Sequence, residues 1–493
     1  MRASISWDEP VRPRTSSRAV GLLGPVLMLA GCASMAPPLA LPEPPVAAQF
    51  PLADAATEPA AAAAGLAWSD AFPDPQLQAL IALSLANNRD LRAAALRVQE
   101  AQAQRRIQGA EAWPTVGASM DAQRARVPGD LNVSGEPIVS SQYRFGVGLA
   151  DWELDFWGRV RSLDDAALQS EMASADAWRA ASLSLVGQVA QGWLALRELD
   201  ERLLLARAAI DSRDESLRIF TRRVEVGATS RLDLAQVRVL AEQARALGTQ
   251  LAQQRAQQAN VLALLAGAPV PTGIAEAPPA PRLPERVVLP VATGLPSSLL
   301  ADRPDIAAAE HQLRAANASI GAARAAFFPR ITLTGSLGTA SAELDHLFHA
   351  GSRALSFAPS VSLPLFTAGR LRGSLDVAEL RRDMAVAAYE KAIQSAFRDV
   401  ADALGARRWL ADQLVVQRAA LAAQAERARL ARLRYDAGSA TFLEVLDAQR
   451  DLLAAEQQRV QTQRALLSSQ VALYIALGGG SRVQSVSAAL PHP

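Results

Sequence analysis

The chain has 493 residues, of which 50% are apolar but only 5% aromatic, and its 50 Lys and Arg nearly balance its 49 Asp and Glu. A net charge of +1 without a clustered basic excess excludes the electrostatic footprint of a nucleic-acid-binding protein. The single cysteine excludes intrachain disulfides and cysteine-based metal sites. A composition rich in Ala, Gln, Leu and Arg is typical of long helices that pack through small side chains.

Residues 1–31 have the features of a secretory signal peptide. Several arginines precede a short apolar stretch from Val20 to Ala30, and small residues lead directly to Cys32. This junction resembles a bacterial lipobox, which implies cleavage before Cys32 and acylation of its thiol. Ala33 follows in place of the Asp that resembles an inner-membrane retention signal, so the outer membrane is favoured.

The chain is internally duplicated. Gly227 matches Gly438 and Gly267 matches Gly478, each pair at an offset of 211 residues. Upstream, Trp113-Pro114 matches Phe328-Pro329 at an offset of 215 residues, so the first copy is longer between Pro114 and Trp157.

The duplication and the proline content divide the chain. We predict a lipidated, Pro- and Ala-rich tether over 32–66, a first repeat over 67–267 and a Pro-rich linker over 268–298. A second repeat then covers 299–478, and a tail covers 479–493.

The first repeat reads as helix, strand pair, very long helix, turn and helix. Helical patterns run from about Pro75 to Ala112, from Gly158 to Val226 and from Thr229 to Ala266. Between the first two, alternation predicts strands at about 115–126 and 141–152. The second repeat has the same order, with strands at about 330–340 and 354–366.

The very long helix carries a heptad pattern. Apolar residues recur every seven positions in the series Val189, Leu196, Leu203, Ile210, Leu217 and Val224. Such spacing predicts a left-handed coiled coil. The helix would be about 100 Å long, and the two shorter helices, each roughly 57 Å, would match it when placed end to end.

Each predicted strand has about ten residues and one apolar face, the length and pattern of strands that span a membrane in a barrel. Ordinary surface hairpins packed on helices would alternate in the same way. Pro359 and Pro364 disfavour a regular central strand. Four strands cannot enclose an open lumen, and unpaired edges are not tolerated in lipid. If these strands span a membrane, several chains must contribute to one barrel.

Several motifs are spread along the chain: Trp68 with Phe72, Asn87-Asn88-Arg89-Asp90-Leu91, Asp302-Arg303-Pro304-Asp305-Ile306, Phe327-Phe328-Pro329, Arg434-Tyr435-Asp436-Ala437-Gly438 and Thr441-Phe442-Leu443-Glu444-Val445-Leu446-Asp447-Ala448-Gln449-Arg450. These motifs resemble those of the outer membrane efflux protein family, and the resemblance covers essentially the whole mature chain. With the lipobox, they resemble the lipoprotein branch that works with resistance-nodulation-division pumps.

The resemblance implies a mainly α-helical fold with a membrane β-barrel. A homotrimer would combine four strands per chain into a twelve-stranded barrel, and its long coiled helices would form a periplasmic tunnel. The protein would be the passive outer-membrane exit duct of a tripartite efflux pump for drugs or other small toxic compounds. Its partners would be outer-membrane lipid, a periplasmic adaptor protein and the inner-membrane pump.

The resemblance also places functional residues. The helix-pair turns at Gly227 and Gly438 would form the periplasmic tip that docks the adaptor. Leu443, Glu444 and Asp447 match positions that ring the constriction, where a threefold axis would gather six carboxylates that attract cations. Tip positions that tie neighbouring helices together in relatives match Tyr435 and Asp233. In some relatives an Arg at the position of Ala440 takes part in these contacts between neighbouring helices. The closed state of the tip would therefore be held by other contacts in this chain.

No enzyme motif or cofactor fingerprint is present, because the sequence lacks a Walker loop, G-x-S-x-G and H-E-x-x-H. His346 and His349 have the spacing of metal ligands, but we expect a solvent-facing pair without an acidic partner rather than a metal site. Two alternatives to an efflux duct remain. One is the exit duct of a type I protein-secretion system, and the other is a lipid-anchored periplasmic coiled-coil scaffold without a pore.

Overall fold

The structure is a computed structural model that describes residues 34–51, 61–270, 282–292, 299 and 302–481. The predicted signal peptide and Cys32 lie outside the described residues, as do parts of the predicted tether, linker and tail.

The described chain is mainly helical and repeats one order of elements. After a short helix at Trp68–Ala71, the first copy contains α1 (Pro75–Asn87), α2 (Arg89–Ala110), α3 (Arg159–Glu225) and α4 (Arg231–Ala266). Those of the second copy are α5 (Pro304–Ala325), α6 (Arg370–Asp436) and α7 (Phe442–Ala476). The two long helices, α3 and α6, have 67 residues each, and both ends of α6 lie 211 positions after those of α3. The predicted duplication is confirmed.

The first predicted helix is wrong in one respect, because it is two helices rather than one. Asn88 has an extended backbone with ψ 130° and ends α1. Its side-chain oxygen accepts a hydrogen bond from the amide of Leu91 at 2.9 Å, which caps α2. Its side-chain amide donates to the carbonyl of Leu265 at 2.9 Å, so the break also fixes these helices to the end of α4.

Four antiparallel strands form one sheet in the order β1-β2-β3-β4. The strands are β1 (Val116–Val127), β2 (Ile138–Glu153), β3 (Arg330–Ser341) and β4 (Arg353–Ser362). Each hairpin comes from one copy of the repeat, and β2 pairs with β3 to join them. Within the described residues, the outer edges of β1 and β4 have no strand beside them.

The last strand is shorter than predicted, since β4 ends at Ser362 rather than near residue 366. Pro364 explains the difference, because proline has no amide to donate and disfavours regular pairing of its neighbours. Pro359 is tolerated within β4, which is an edge strand of this sheet.

The sheet has one apolar and one small or polar face. Cross-strand neighbours in an antiparallel sheet point to the same face, and two rows of four neighbours show the contrast. One row is Ala118, Val147, Leu337 and Leu355; the next row on the opposite face is Gly117, Gly148, Ser336 and Ser356. Leu337 is 65% exposed and Leu355 78% exposed, so this part of the apolar face is open to solvent in the described chain.

The first three residues of the predicted heptad stripe, Val189, Leu196 and Leu203, are almost fully buried. No helix in the described part of the chain is both long and apolar enough to cross a bilayer.

By its contacts the chain divides into two compact units. One contains the sheet and the helix residues next to it, namely the described parts of 1–40, 103–169 and 314–383. The other contains the described parts of 41–102, 170–313 and 384–493, and therefore both helix-pair turns.

Candidate functional site

The two helix-pair turns are built in the same way. Gly227 and Gly438 each have φ +73°, a left-handed conformation that glycine adopts without steric cost. The next amide in each turn donates to the carbonyl five residues earlier, at 2.7 Å for Ala228 and 2.9 Å for Ser439. These bonds satisfy carbonyls at the helix end, as in a Schellman motif. Both predicted turns therefore lie where the sequence placed them.

One apolar cluster joins the two turns. It takes residues from all four helices that meet there: Phe220 of α3, Val237 of α4, Ala431 of α6, and Phe442, Val445, Leu446 and Ala448 of α7. The rings of Phe220 and Phe442 lie 4.4 Å apart between centroids, and Tyr435 packs edge-on against Phe442 at 4.9 Å. The two copies of the repeat therefore share a core at their turns.

Tyr435 contacts the other copy through Arg223. The Arg223 guanidinium donates a hydrogen bond to the Tyr435 hydroxyl, and it lies 5.6 Å from the ring of Phe220 and 6.0 Å from that of Tyr435. Arg223 did not emerge from the sequence, which gives no sign of a contact between residues 212 positions apart.

Asp233 contacts its own turn rather than the other copy. Its carboxylate accepts hydrogen bonds from the hydroxyls of Ser230 and Thr229, both at 2.8 Å, and the Ser230 hydroxyl accepts from the Asp233 amide. Together they form a capping box at the start of α4. The hydrogen bonds, first that from the Ser230 hydroxyl, hold the pKa of Asp233 below its ordinary value.

Leu443, Glu444 and Asp447 share one face at the start of α7. Phe442 and Val445 point into the cluster, whereas Leu443 is 46% exposed and Glu444 is exposed beside it. Residues three and four apart lie on the same side of a helix, so Asp447 follows one turn later. The three residues that the family resemblance selects thus point away from the core.

Both carboxylates on this face are paired with arginines. The Arg434 guanidinium lies 2.9 Å from Glu444, and that of Arg450 lies 3.1 Å from Asp447. The sequence analysis missed both arginines as members of this site, although Arg450 stands three residues after Asp447 on one helix face. The expected ring of six carboxylates would therefore be a ring of mixed charge.

Aromatic residues gather where the strands meet the helices. Trp113 precedes β1 and is 76% exposed, and Phe328 precedes β3. Trp157 follows β2, packs 4.9 Å from the ring of Phe328, and donates from its indole nitrogen to the carbonyl of Pro329 at 2.8 Å. Amphipathic rings of this kind form the girdles of membrane proteins at the bilayer interface.

Comparison with known proteins agrees with this architecture. The profile described as "Outer membrane efflux protein" matches residues 80–268 and again 295–479, once for each copy of the repeat. The chain belongs to this family.

Two curated relatives are similar to this chain over most of their length. The solvent efflux pump outer membrane protein SrpC of Pseudomonas putida is 43% identical over 459 residues, which cover 92% of this chain and 97% of the relative. Outer membrane protein OprJ of Pseudomonas aeruginosa is 43% identical over 458 residues, which cover 92% and 94%.

A solved structure agrees as well. The open state of the Neisseria gonorrhoeae MtrE outer membrane channel superimposes with a TM-score of 0.82 at 39% identity, covering 92% of this chain and 100% of that one. The protein is thus an outer-membrane channel for efflux, a transport duct and not an enzyme.

Proposed function

We propose that this outer membrane efflux protein works as a homotrimer, the exit duct of a tripartite pump. Three sheets would close into one twelve-stranded barrel, and the long helices would form a periplasmic tunnel. The duct would receive its cargo from an inner-membrane resistance-nodulation-division pump through a periplasmic adaptor. Since the pump supplies the energy, the duct itself would act passively.

The observation that carries this proposal is the sheet. Within the described residues its edge strands β1 and β4 have no strand on their outer side, and one of its faces exposes apolar side chains. In lipid, each unpaired backbone group costs several kcal/mol, so open edges require strands from other chains. Because four antiparallel strands place β1 and β4 in opposite directions, β4 of one copy can pair antiparallel with β1 of the next. A closed ring of copies would bury every edge.

We further propose that the 1–31 segment is removed and that Cys32 is acylated. Residues shortly after Cys32 lie along α5 in the unit that contains the sheet, since the side-chain amide of Asn317 donates to the carbonyl of Pro37 at 2.9 Å. Incorporation of labelled palmitate into the wild type but not into Cys32→Ser is the expected result. Equal labelling of both would contradict it.

At the turns, we propose that Gly227 and Gly438 mark the periplasmic tip that docks the adaptor. Leu443, Glu444 and Asp447 would line the constriction, with Tyr435 and Asp233 holding the helices that carry them. The shared core of the two turns supports this assignment, because a rigid cluster beneath α7 would fix the direction of its exposed face.

The cargo would be small toxic organic compounds. SrpC is named for solvent efflux, which supports this assignment. Selection among compounds would then belong to the pump.

The gate assignment is tested by neutralising its charges. Glu444→Gln with Asp447→Asn removes the two carboxylates that each chain contributes to the proposed constriction, but leaves Arg434 and Arg450. We therefore expect the selectivity of the channel to shift towards anions. Single-channel recording in planar bilayers measures this shift, at several salt concentrations because salt screens exposed charges.

The matched control removes the opposite partners. Arg434→Gln with Arg450→Gln should shift selectivity towards cations and strengthen block by divalent metal ions. Leu443→Ser should raise basal conductance without either shift. If neither double variant changes selectivity while conduction persists, the face of α7 does not line the pore and the gate assignment is wrong.

A further inference from the structure

The loop between β3 and β4 brings together three side chains of the types that can ligate a metal ion. One donor atom from each of Glu343, Asp345 and His346 lies within 4.8 Å of the others. A carboxylate oxygen of Glu343 lies 3.6 Å from Nδ1 of His346, and one of Asp345 lies 3.9 Å from its Nε2. The expectation that the loop histidines lack an acidic partner is therefore wrong.

A second imidazole is adjacent. The ring of His349 lies 4.9 Å from the ring of His346 between centroids. The loop thus offers two imidazoles and two carboxylates from seven consecutive residues, all of them exposed to solvent.

The backbone that carries these residues is held in place. Leu347, between the two histidines, is fully buried and fixes the middle of the loop. The Ser352 hydroxyl donates to the carbonyls of Leu347 at 2.6 Å and His349 at 2.8 Å. The amide of His349 donates to the carbonyl of His346 at 3.2 Å, which closes a turn. A loop that is already ordered loses less conformational freedom when it binds a ligand.

The donor set favours a transition metal. Imidazole with carboxylate suits Zn²⁺, Cu²⁺ and Ni²⁺, whereas Ca²⁺ and Mg²⁺ prefer oxygen donors alone. Donors around a tetrahedral zinc ion at about 2.1 Å are separated by roughly 3.4 Å. The distance of 3.6 Å between Glu343 and Nδ1 of His346 is close to that value. One ion binds only one nitrogen of an imidazole, so Asp345, which lies beside Nε2, must turn towards Nδ1, and its exposed side chain can do so by rotation.

We propose that this loop binds one divalent transition-metal ion per chain, with Glu343, Asp345 and His346 as ligands and His349 as the fourth. The site lies in the hairpin loop of the second copy only. The corresponding loop of the first copy, residues 128–137, contains Asp130 and Glu136 but no histidine, so the two hairpins differ in chemistry as well as in sequence.

Calorimetric titration of the purified full-length protein with Zn²⁺ tests the site, using protein without a histidine tag. We expect saturable binding of one ion per chain. His346→Asn, and separately Glu343→Gln with Asp345→Asn, should each weaken binding on the order of tenfold or more. His349→Asn should weaken it less, because its ring must rotate to reach the ion.

The matched control is Asp130→Asn with Glu136→Gln, which makes the same charge change in the other hairpin loop and should leave Zn²⁺ binding unchanged. Three outcomes would overturn the proposal. The wild type could show no saturable binding, His346→Asn could bind as the wild type does, or Ca²⁺ could bind as tightly as Zn²⁺. The last two would reduce the loop to an unspecific acidic patch.

Discussion

Gly227, Gly438, Gly267 and Gly478 lie at helix ends, and they are required there for two different steric reasons. All four have positive φ, between +63° and +76°. A β-carbon on Gly227 or Gly438 would meet open space, so these positions require only the left-handed backbone. On Gly267 it would lie 2.2 Å from the carbonyl oxygen of Asn87, and on Gly478 2.4 Å from that of Asp302. These two also require the absence of a side chain.

The two pairs should therefore respond differently to alanine. We expect Gly227→Ala or Gly438→Ala to lower the free energy of unfolding by about 1–2 kcal/mol, the cost of a left-handed L-residue. Gly267→Ala and Gly478→Ala should lower the free energy of unfolding further. The carbonyl of Asn87 cannot move away from residue 267 without disturbing the break between α1 and α2, and the carbonyl of Asp302 lies at the equivalent place of the second copy, just before α5. Thermal unfolding of the four variants under one condition gives the ranking. Equal losses in all four would contradict the role of close approach.

At this scale the sequence was informative wherever local chemistry decides. Glycine at each turn follows from the helix-ending conformation, and the Ser230 to Asp233 spacing is that of a capping box. The contact of Arg223 with Tyr435 could not be read, because it depends on how two distant helices meet. The pairing of Asp447 with Arg450 could have been read from their spacing.

Among the elements, the clearest contrast lies between the equivalent helices α4 and α7. Both begin after a left-handed glycine and a hydroxyl residue, yet only Ser230 caps its helix through its side chain. Thr441 makes no such hydrogen bond, and the acidic residue that follows it, Glu444, pairs with Arg434 instead. Both copies therefore have this helix, but at the start of α7 the acidic residue contacts Arg434 instead of capping the helix.

This contrast predicts unequal effects of removing the two hydroxyls. Ser230→Ala should destabilise the first turn of α4 by about 1 kcal/mol, the usual value of a cap, whereas Thr441→Ala should have little effect on α7. Because the pKa of Asp233 is lowered in the folded protein, the contribution of its carboxylate is present at neutral pH. It is lost as the pH falls through that lowered value.

Hydrogen exchange of the amides in each first turn measures these effects directly. Protection of the α4 turn should fall in Ser230→Ala, and in the wild type at acidic pH. A loss of equal size at α7 in Thr441→Ala would show that the capping box is not the cause.

The long helices and the strands were the most predictable part of the fold, because heptads and alternation repeat over many residues, so that a local exception changes little. The places where these patterns are interrupted could not be predicted in the same way. The break at Asn88 occurs in an uninterrupted helical pattern, although the equivalent position of the second copy, Arg303, stands directly before Pro304. Comparing the copies would have located it. Likewise Pro364 marks the end of β4 more reliably than the apolar residues beyond it.

At the scale of the whole molecule, the sheet shows that partner chains are required but does not give their number. Four strands with open edges require partner chains, and this requirement followed from strand count and lipid chemistry alone. The number of copies did not follow, because any ring that closes would pair every edge. The value of three comes from the family resemblance and remains part of the proposal.

The closed ring can be tested with cysteines on the two edge strands. In a Cys32→Ser background, the chain has no other cysteine. Ser119→Cys in β1 would be combined in turn with Ala354→Cys, Ser356→Cys or Ala358→Cys in β4. These positions share the small and polar face of the sheet, so the three pairs sample the unknown register between copies without disturbing the apolar face.

A ring of three copies joined head to tail should respond in one way only. Oxidation of at least one double variant should give a covalent species of three chains and nothing larger, because the third bond closes the ring. Each single variant should stay uncrosslinked, since β1 of one copy meets β4 of the next and never another β1. Denaturing electrophoresis without reductant measures both results. Dimers from Ser119→Cys alone would indicate a twofold interface, and a ladder beyond three chains an open or larger assembly; either would refute the twelve-stranded barrel.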